Sequence, residues 1–139
     1  MLKNFPLYSD KAQSGIMVFE KYAVFLRKDN IIQIQMKDNF DCNLDDAKKI
    51  VECIIHLSNN KKYPLLSIYG EDNNFSAETK SFIASHQNTT ADALVSNNIL
   101  FNLIANFYLK FNKPVRPTRL FSNVDKAIEW LTNFGVAEK

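Results

Sequence analysis

Apolar and polar positions along this chain follow two rhythms, one of period two and one of period 3.6. Between residues 31 and 37, Ile32, Ile34 and Met36 alternate with Gln33, Gln35 and Lys37. That pattern predicts a strand with one buried and one wet face. Residues 22–27 (YAVFLR) predict a second strand, and residues 16–19 a short one before it. Lys28-Asp29-Asn30 lies between the two longer strands, and Asp and Asn tolerate positive φ, so a tight hairpin is expected. The rhythm then changes. Leu44, Ala47, Val51, Ile54 and Ile55 recur at helical spacing behind Asn43, a natural cap, with Asp45 and Asp46 near the positive dipole end. Ser58-Asn59-Asn60 closes that helix. Residues 64–69 (PLLSIY) predict a buried strand broken by Gly70, and Ser76 is the expected cap of a helix reaching about to His86.

Residues 91–96 continue the alternation as a strand, and residues 98–111 as a very apolar helix. Pro114 and Pro117 forbid a helix across the following link. Residues 118–121 predict the last strand. Ser122-x-x-Asp125 reads as a capping box for a closing helix whose stripe is Val124, Ala127, Ile128, Leu131 and Phe134, stopped by Gly135. The expected fold class is therefore α/β. An opening β-hairpin is followed by βα repeats, giving a mixed, mostly parallel sheet of about five strands with about four helices on its faces. With 139 residues and no linker or repeat, one domain spanning 1–139 is expected, with residues 1–15 as an N-terminal arm anchored by Phe5 and Tyr8.

Composition narrows the function. Eleven Phe stand against three Gly, which leaves little material for a phosphate-cradling glycine loop. A formal charge of +2 does not call for nucleic acid as a partner. Cys42 and Cys53 form no C-x-x-C or zinc pattern, and free thiols suit a reducing cytoplasm. No apolar run approaches the ~18 residues of a membrane span, and the first fifteen residues lack a signal-peptide h-region. A cytoplasmic protein is expected, with peripheral lipid contact still open.

Candidate chemistry is sparse. In the 98–111 segment, Asn98, Asn102, Asn106 and Lys110 make one narrow polar stripe, and the apolar arc covers about two-thirds of the circumference. Either the helix is wedged in the core, or Phe101, Phe107, Tyr108 and Phe111 form a partner or ligand surface, a homodimer being its mildest version. The link 110–119 carries Lys110, Lys113, Arg116 and Arg119. Lys113, Arg116 and Arg119 are candidate anion contacts. The alternative is ordinary loop charge, with one arginine paired to a carboxylate such as Glu129. Ser76 is a candidate phosphorylation site as well as a cap, since phosphate is tolerated at a helix N-terminus. His56 and His86 have no ligand partners at metal spacing, so no metal site is expected. Asp45 with Asp46, and Glu71 with Asp72, sit where acids are common and make no matched acid and base. Trp130 reads as packing. With no assembled nucleophile and no cofactor loop, no catalytic residue, no cofactor and no enzyme activity are expected.

The order hairpin, helix, strand, helix, strand, helix, strand, helix resembles the STAS-like (SpoIIAA-like) group, the fold of bacterial anti-sigma factor antagonists. Within it, the chain is similar to small bacterial STAS/SEC14-like proteins. The resemblance rests on the stretches LDDAKKIV (residues 44–51), YPLL (63–66), LIANFYLKFNKP (103–114), PTRLF (117–121) and AIEWL (127–131), and covers residues 22–131. It implies a non-enzymatic regulatory or protein-interaction module, cytosolic and homodimeric. Antagonists of the regulatory type present a phosphorylatable Ser in an Asp-Ser-Ser-Gly-like turn after the central strand. This chain departs there, having GEDNNFS over residues 70–76, so Ser76 is only the positional counterpart. The alternative reading is a small lipid- or anion-binding carrier, with the apolar 98–111 helix as a wall and the basic link as headgroup contact.

Overall fold

The computed structural model describes residues 5–86, 88–98 and 115–138. The described strands are β1 (Met17–Val18), β2 (Tyr22–Leu26), β3 (Ile32–Met36), β4 (Asp41–Cys42), β5 (Lys61–Ile68), β6 (Asn74–Phe75), β7 (Thr89–Val95), β8 (Thr118–Phe121) and β9 (Ala137–Glu138). The described helices are α1 (Leu44–Ser58), α2 (Ala77–Ser85) and α3 (Val124–Leu131). The main sheet runs β1-β2-β3-β5-β7-β8, with β9 joined to the start of β5, seven strands in all. β1, β2 and β3 pair antiparallel, whereas β3, β5, β7 and β8 pair parallel. The fold is the expected α/β arrangement, with a larger strand count. The strands absent from the sequence reading, β4, β6 and β9, are two residues long, too short to carry a period.

The hairpin turns where expected. Asn30 takes φ 62° and donates its N–H to the Arg27 carbonyl at 3.0 Å, so the αL tolerance of asparagine closes the turn. α1 begins at a reciprocal box: Asp46 N–H donates to Asn43 Oδ1 at 2.9 Å, and Asn43 N–H to Asp46 Oδ2 at 3.2 Å. Asn59, in the left-handed region at φ 47°, ends it. Ser76 caps α2 by accepting from Thr79 N–H at 3.2 Å. At α3 the expectation fails by one residue. The cap is Asn123, whose Oδ1 accepts from Lys126 N–H at 3.0 Å, not Ser122. Both residues cap well, and only the backbone path selects between them.

Two cores lie on opposite faces of the sheet. Ile32, Ile34, Met36 and Leu65 pack under Ala47, Ile50, Cys53 and Ile54 of α1, with Phe82 and Ile83 of α2 at the margin. Leu66, Ile68, Ala91, Ala93 and Val95 pack under Ala127 and Leu131 of α3. β5 contributes to both faces in alternation, and sealing a residue such as Leu66, 0% exposed, is worth about 1.5–3 kcal/mol.

The expected wet face of β3 is a correction. Gln33 is 0% exposed and Gln35 7%. The N-terminal arm covers them: Gln33 Nε2 donates to the Leu7 carbonyl at 2.8 Å, and Leu7 N–H donates to Gln35 Oε1. Two glutamines two residues apart thus clasp both main-chain groups of one residue. Arg27 supports the clasp, donating to Gln33 Oε1 at 2.9 Å while its other nitrogens hold Asp29. The Phe5 ring faces Lys37 Nζ at 4.8 Å and the Tyr8 ring faces the Arg27 guanidinium at 5.7 Å. Buried amides are tolerable because each finds a partner.

Candidate functional site

Parallel strands deliver their following loops to one end of a sheet, and in open α/β folds ligands and partners meet the chain at that end. Here β3 and β5 lead into residues 37–43 and 69–76, and the two loops are fastened to each other. Asn73 Nδ2 donates to the Lys37 carbonyl at 2.9 Å, while its Oδ1 accepts from Gly70 N–H at 2.8 Å. Glu71 N–H donates to Asp38 Oδ1 at 2.8 Å, and Asn39 N–H to the Glu71 carbonyl at 2.8 Å. Asp41 pairs with Asn74 and Cys42 with Phe75 as the small parallel sheet β4–β6. Gly70 permits this approach, since a Cβ there would lie 2.7 Å from the Lys37 carbonyl carbon and 2.8 Å from Asp38 N. Asn39 and Asp72 sit at φ 60° and 55°, a region that Asn and Asp enter more readily than most residues. The result is a pre-ordered rim, not a pair of loose loops.

The rim is acidic. Asp38, Asp41, Asp45, Glu71, Asp72 and Glu78 are all exposed, as is Ser76. Ser76 Oγ lies 2.7 Å from Thr79 Oγ1, and Thr79 is fully buried, so the cap is anchored from below while its hydroxyl stays at the surface. Beneath the rim, Tyr69 meets Phe75 edge-on with centroids 5.7 Å apart. Burial pushes the Tyr69 phenol above its usual range, and the Asp92 carboxylate adds to that. Burial likewise raises the Cys42 thiol to about 12, with Asp46 contributing. A thiol so raised is a packing group and not a nucleophile.

The basic link divides. Arg116 is not presented to solvent: it is 8% exposed and its Nε meets Asp92 Oδ2 at 2.7 Å. Its terminal nitrogens donate to the carbonyls of Ile83 at 2.9 Å, Ala84 at 3.2 Å and His86. Thr89 Oγ1 donates to Asp92 Oδ1 at 2.6 Å. The guanidinium is thereby committed to fastening the end of α2 onto β7, which removes it as an anion contact. Its carboxylate partner is Asp92, not Glu129. Arg119 is exposed, its guanidinium 5.3 Å from the Phe121 ring centroid. Lys113 and the surface expected from Phe101, Phe107, Tyr108 and Phe111 lie outside the described residues. Trp130 packs between Phe121 and Phe134, at 5.7 and 4.8 Å.

The sequence reading missed Asp92 and the glutamine clasp. A lone acid inside the apolar run TTADALV was the available signal, because a carboxylate on a buried strand requires a cation nearby. Among the described residues, no group of three or more His, Cys, Asp or Glu is placed to hold a metal, and no helix is long and apolar enough to cross a membrane. An apolar crevice under α1 and α2, lined by Ile34, Ile54, Leu65 and Ile83 among others, has a volume of about 60 Å³, well below the ~300–1,000 Å³ of ligand pockets.

A family model described as Domain of unknown function (DUF7793) matches residues 25–135. No curated protein matches the chain. Among solved structures, a protein with unknown function from Arthrobacter sp. FB24 is 20% identical, the alignment covering 78% of this chain and 97% of that one with a TM-score of 0.29. Likeness at that level carries no argument about activity.

Proposed function

The chain belongs to the family described as Domain of unknown function (DUF7793), and on that premise we propose that it is a non-enzymatic interaction module of STAS-like type whose recognition surface is the acidic rim. The observation that carries this reading is the mutual fastening of the two loops. A surface whose hydrogen bonds are already made loses little entropy on docking, so its exposed groups are free to spend their interaction on a partner. Six exposed carboxylates on one rim of a chain whose formal charge is +2 favour a protein partner presenting Lys and Arg, steered by charge complementarity. The order of strands and helices and the position of Ser76 after β5 support the STAS-like comparison. Phosphate on Ser76 would add about −1.5 to −2 charges to the rim, which makes that residue the natural point of regulation.

Affinity capture from lysate of the source cells tests this with matched variants. Wild type and Lys62→Glu, a change at the far end of β5, should retain the same salt-sensitive protein partner. Asp41→Lys with Asp72→Lys should lose it. Recovery of that partner at equal yield by the rim variant would end the proposal.

A further inference from the structure

The segment ahead of β1 is anchored in two places, with a sharp reversal between them. Residues 11–13 run along the end of β2. Gln13 N–H donates to the Leu26 carbonyl at 2.8 Å, Lys28 N–H to the Lys11 carbonyl at 2.6 Å, and Gln13 Nε2 to the Arg27 carbonyl at 2.7 Å. Residues 5–7 instead lie across the face of the sheet, where the glutamine clasp holds Leu7. The reversal falls on Tyr8 and the single 3-10 turn Ser9–Lys11, closed by Lys11 N–H donating to the Tyr8 carbonyl at 2.9 Å. Tyr8 sits at φ 61° and ψ 29°, in the left-handed region. Among the described residues with positive φ, Tyr8 alone is not Asn, Asp or Gly. A bulky side chain there crowds its own backbone, so the hinge is strained.

The arm is held in a way that suits exchange. Its contacts are the main-chain groups of Leu7, the Phe5 ring on Lys37 and the Tyr8 ring on Arg27. None of them depends on which copy of the chain supplies the arm. Little apolar surface is sealed, since Phe5 and Leu7 are half-buried and Tyr8 is 37% exposed, with Pro6 alone buried. The surface beneath is made of amides and cations, Gln33, Gln35, Arg27 and Lys37, which water can solvate when the arm lifts. Passing the arm to a second copy keeps every clasp contact and lets Tyr8 return to an extended backbone. Short hinges under strain favour this kind of swap. Against it stands the tether, which holds the arm at an effective concentration on the order of millimolar over its own face. Relief at both hinges of a dimer offsets that advantage. Opened out, residues 8–11 span about 13 Å, enough to carry residues 5–7 across a two-fold axis. We propose that the polar face of β2 and β3 is a docking surface for residues 5–8 of a second copy, giving a reciprocal arm-exchanged dimer.

Sedimentation equilibrium of the full chain, up to about 1 mM where the tether no longer dominates, tests this. A monomer–dimer equilibrium is expected. Tyr8→Gly lets the hinge keep positive φ without strain, which favours the closed monomer. Each relieved hinge is worth about fivefold and a dimer has two, so its dissociation constant should rise about 25-fold. The ring lost from Arg27 is lost in monomer and dimer alike and cancels. Tyr8→Asn should act in the same direction. Lys11→Pro removes the N–H that closes the turn and should strengthen the dimer. Isotope-filtered NOEs identify the exchanged arm, in labelled and unlabelled chain refolded together. Contacts between the Phe5 ring of one copy and the Lys37 side chain of the other are expected. The inference is overturned if wild type stays monomeric at about 1 mM, if Tyr8→Gly leaves the dimer unchanged, or if the copies meet without Phe5–Lys37 contacts between them. Charge reversal at Asp41 and Asp72 should leave the dimer intact, so the result stands or falls separately from the acidic-rim proposal.

Discussion

Truncating Arg116 to alanine leaves the Asp92 carboxylate, 3% exposed, without its cation. Removing one partner of a buried pair costs about 3–5 kcal/mol, because the remaining charge stays in low dielectric uncompensated. The three carbonyls at the end of α2 lose donors as well. Ala84 and His86 are only half-buried, so water can replace part of that loss, and the charge dominates. A loss of about 4 kcal/mol, with a urea slope of about 2 kcal/mol/M for a chain of this size, lowers the unfolding midpoint by about 2 M. The single Trp130, packed between Phe121 and Phe134, gives the fluorescence signal. Arg116→Lys keeps the charge but cannot fan out to three carbonyls, and should fall between wild type and alanine. In a double-mutant cycle with Asp92→Asn, the coupling should exceed about 1.5 kcal/mol. A loss under about 1 kcal/mol at unchanged slope, or strict additivity in the cycle, would refute the claim that this pair fastens α2 to β7.

Three further outcomes are open to measurement. Gly70→Ala should destabilise by about 1–3 kcal/mol, because its Cβ meets the Lys37 and Asp38 backbone and not a flexible side-chain tip. Urea midpoints check this, and a neutral result would mean the two loops can separate freely. Asn123→Ala should cost about 1 kcal/mol and Ser122→Ala nearly nothing, reversing the assignment that the capping-box spacing suggests; thermal denaturation of the two variants side by side decides it. The third concerns pH. Burial raises the Cys42 thiol from 9.0 and the Tyr22 phenol from 10.0, each to about 12. Both groups hold their protons more tightly folded than unfolded, so their contribution is complete below pH 9 and is lost as pH rises toward 12. Midpoints measured across that range should fall, and Cys42→Ala should flatten the decline. At neutral pH a thiol reagent should label Cys42 only after unfolding.

The sequence alone determined most of the local structure. The apolar run at residues 22–26, the period-two run at 32–36, the helical stripe from Leu44 and the caps at Asn43 and Ser76 are short-range facts, each set by residues within one or two turns of one another. The mostly parallel order of the sheet also follows from strands that alternate with helices. The tertiary structure decided what depends on residues far apart in the chain. Gln33 and Gln35 read as a wet face, because no local pattern says that Leu7, 26 residues before Gln33, will lie across them. Arg116 read as a loop cation, yet it reaches 24 residues back to Asp92. The fastening of residues 37–43 to residues 70–75 rests on Gly70 and Asn73, neither of which is distinctive in sequence. Periodicity records which face of an element is apolar. Only the packed chain fixes which polar groups are then enclosed together, since an enclosed polar group must find its partner wherever the fold places one.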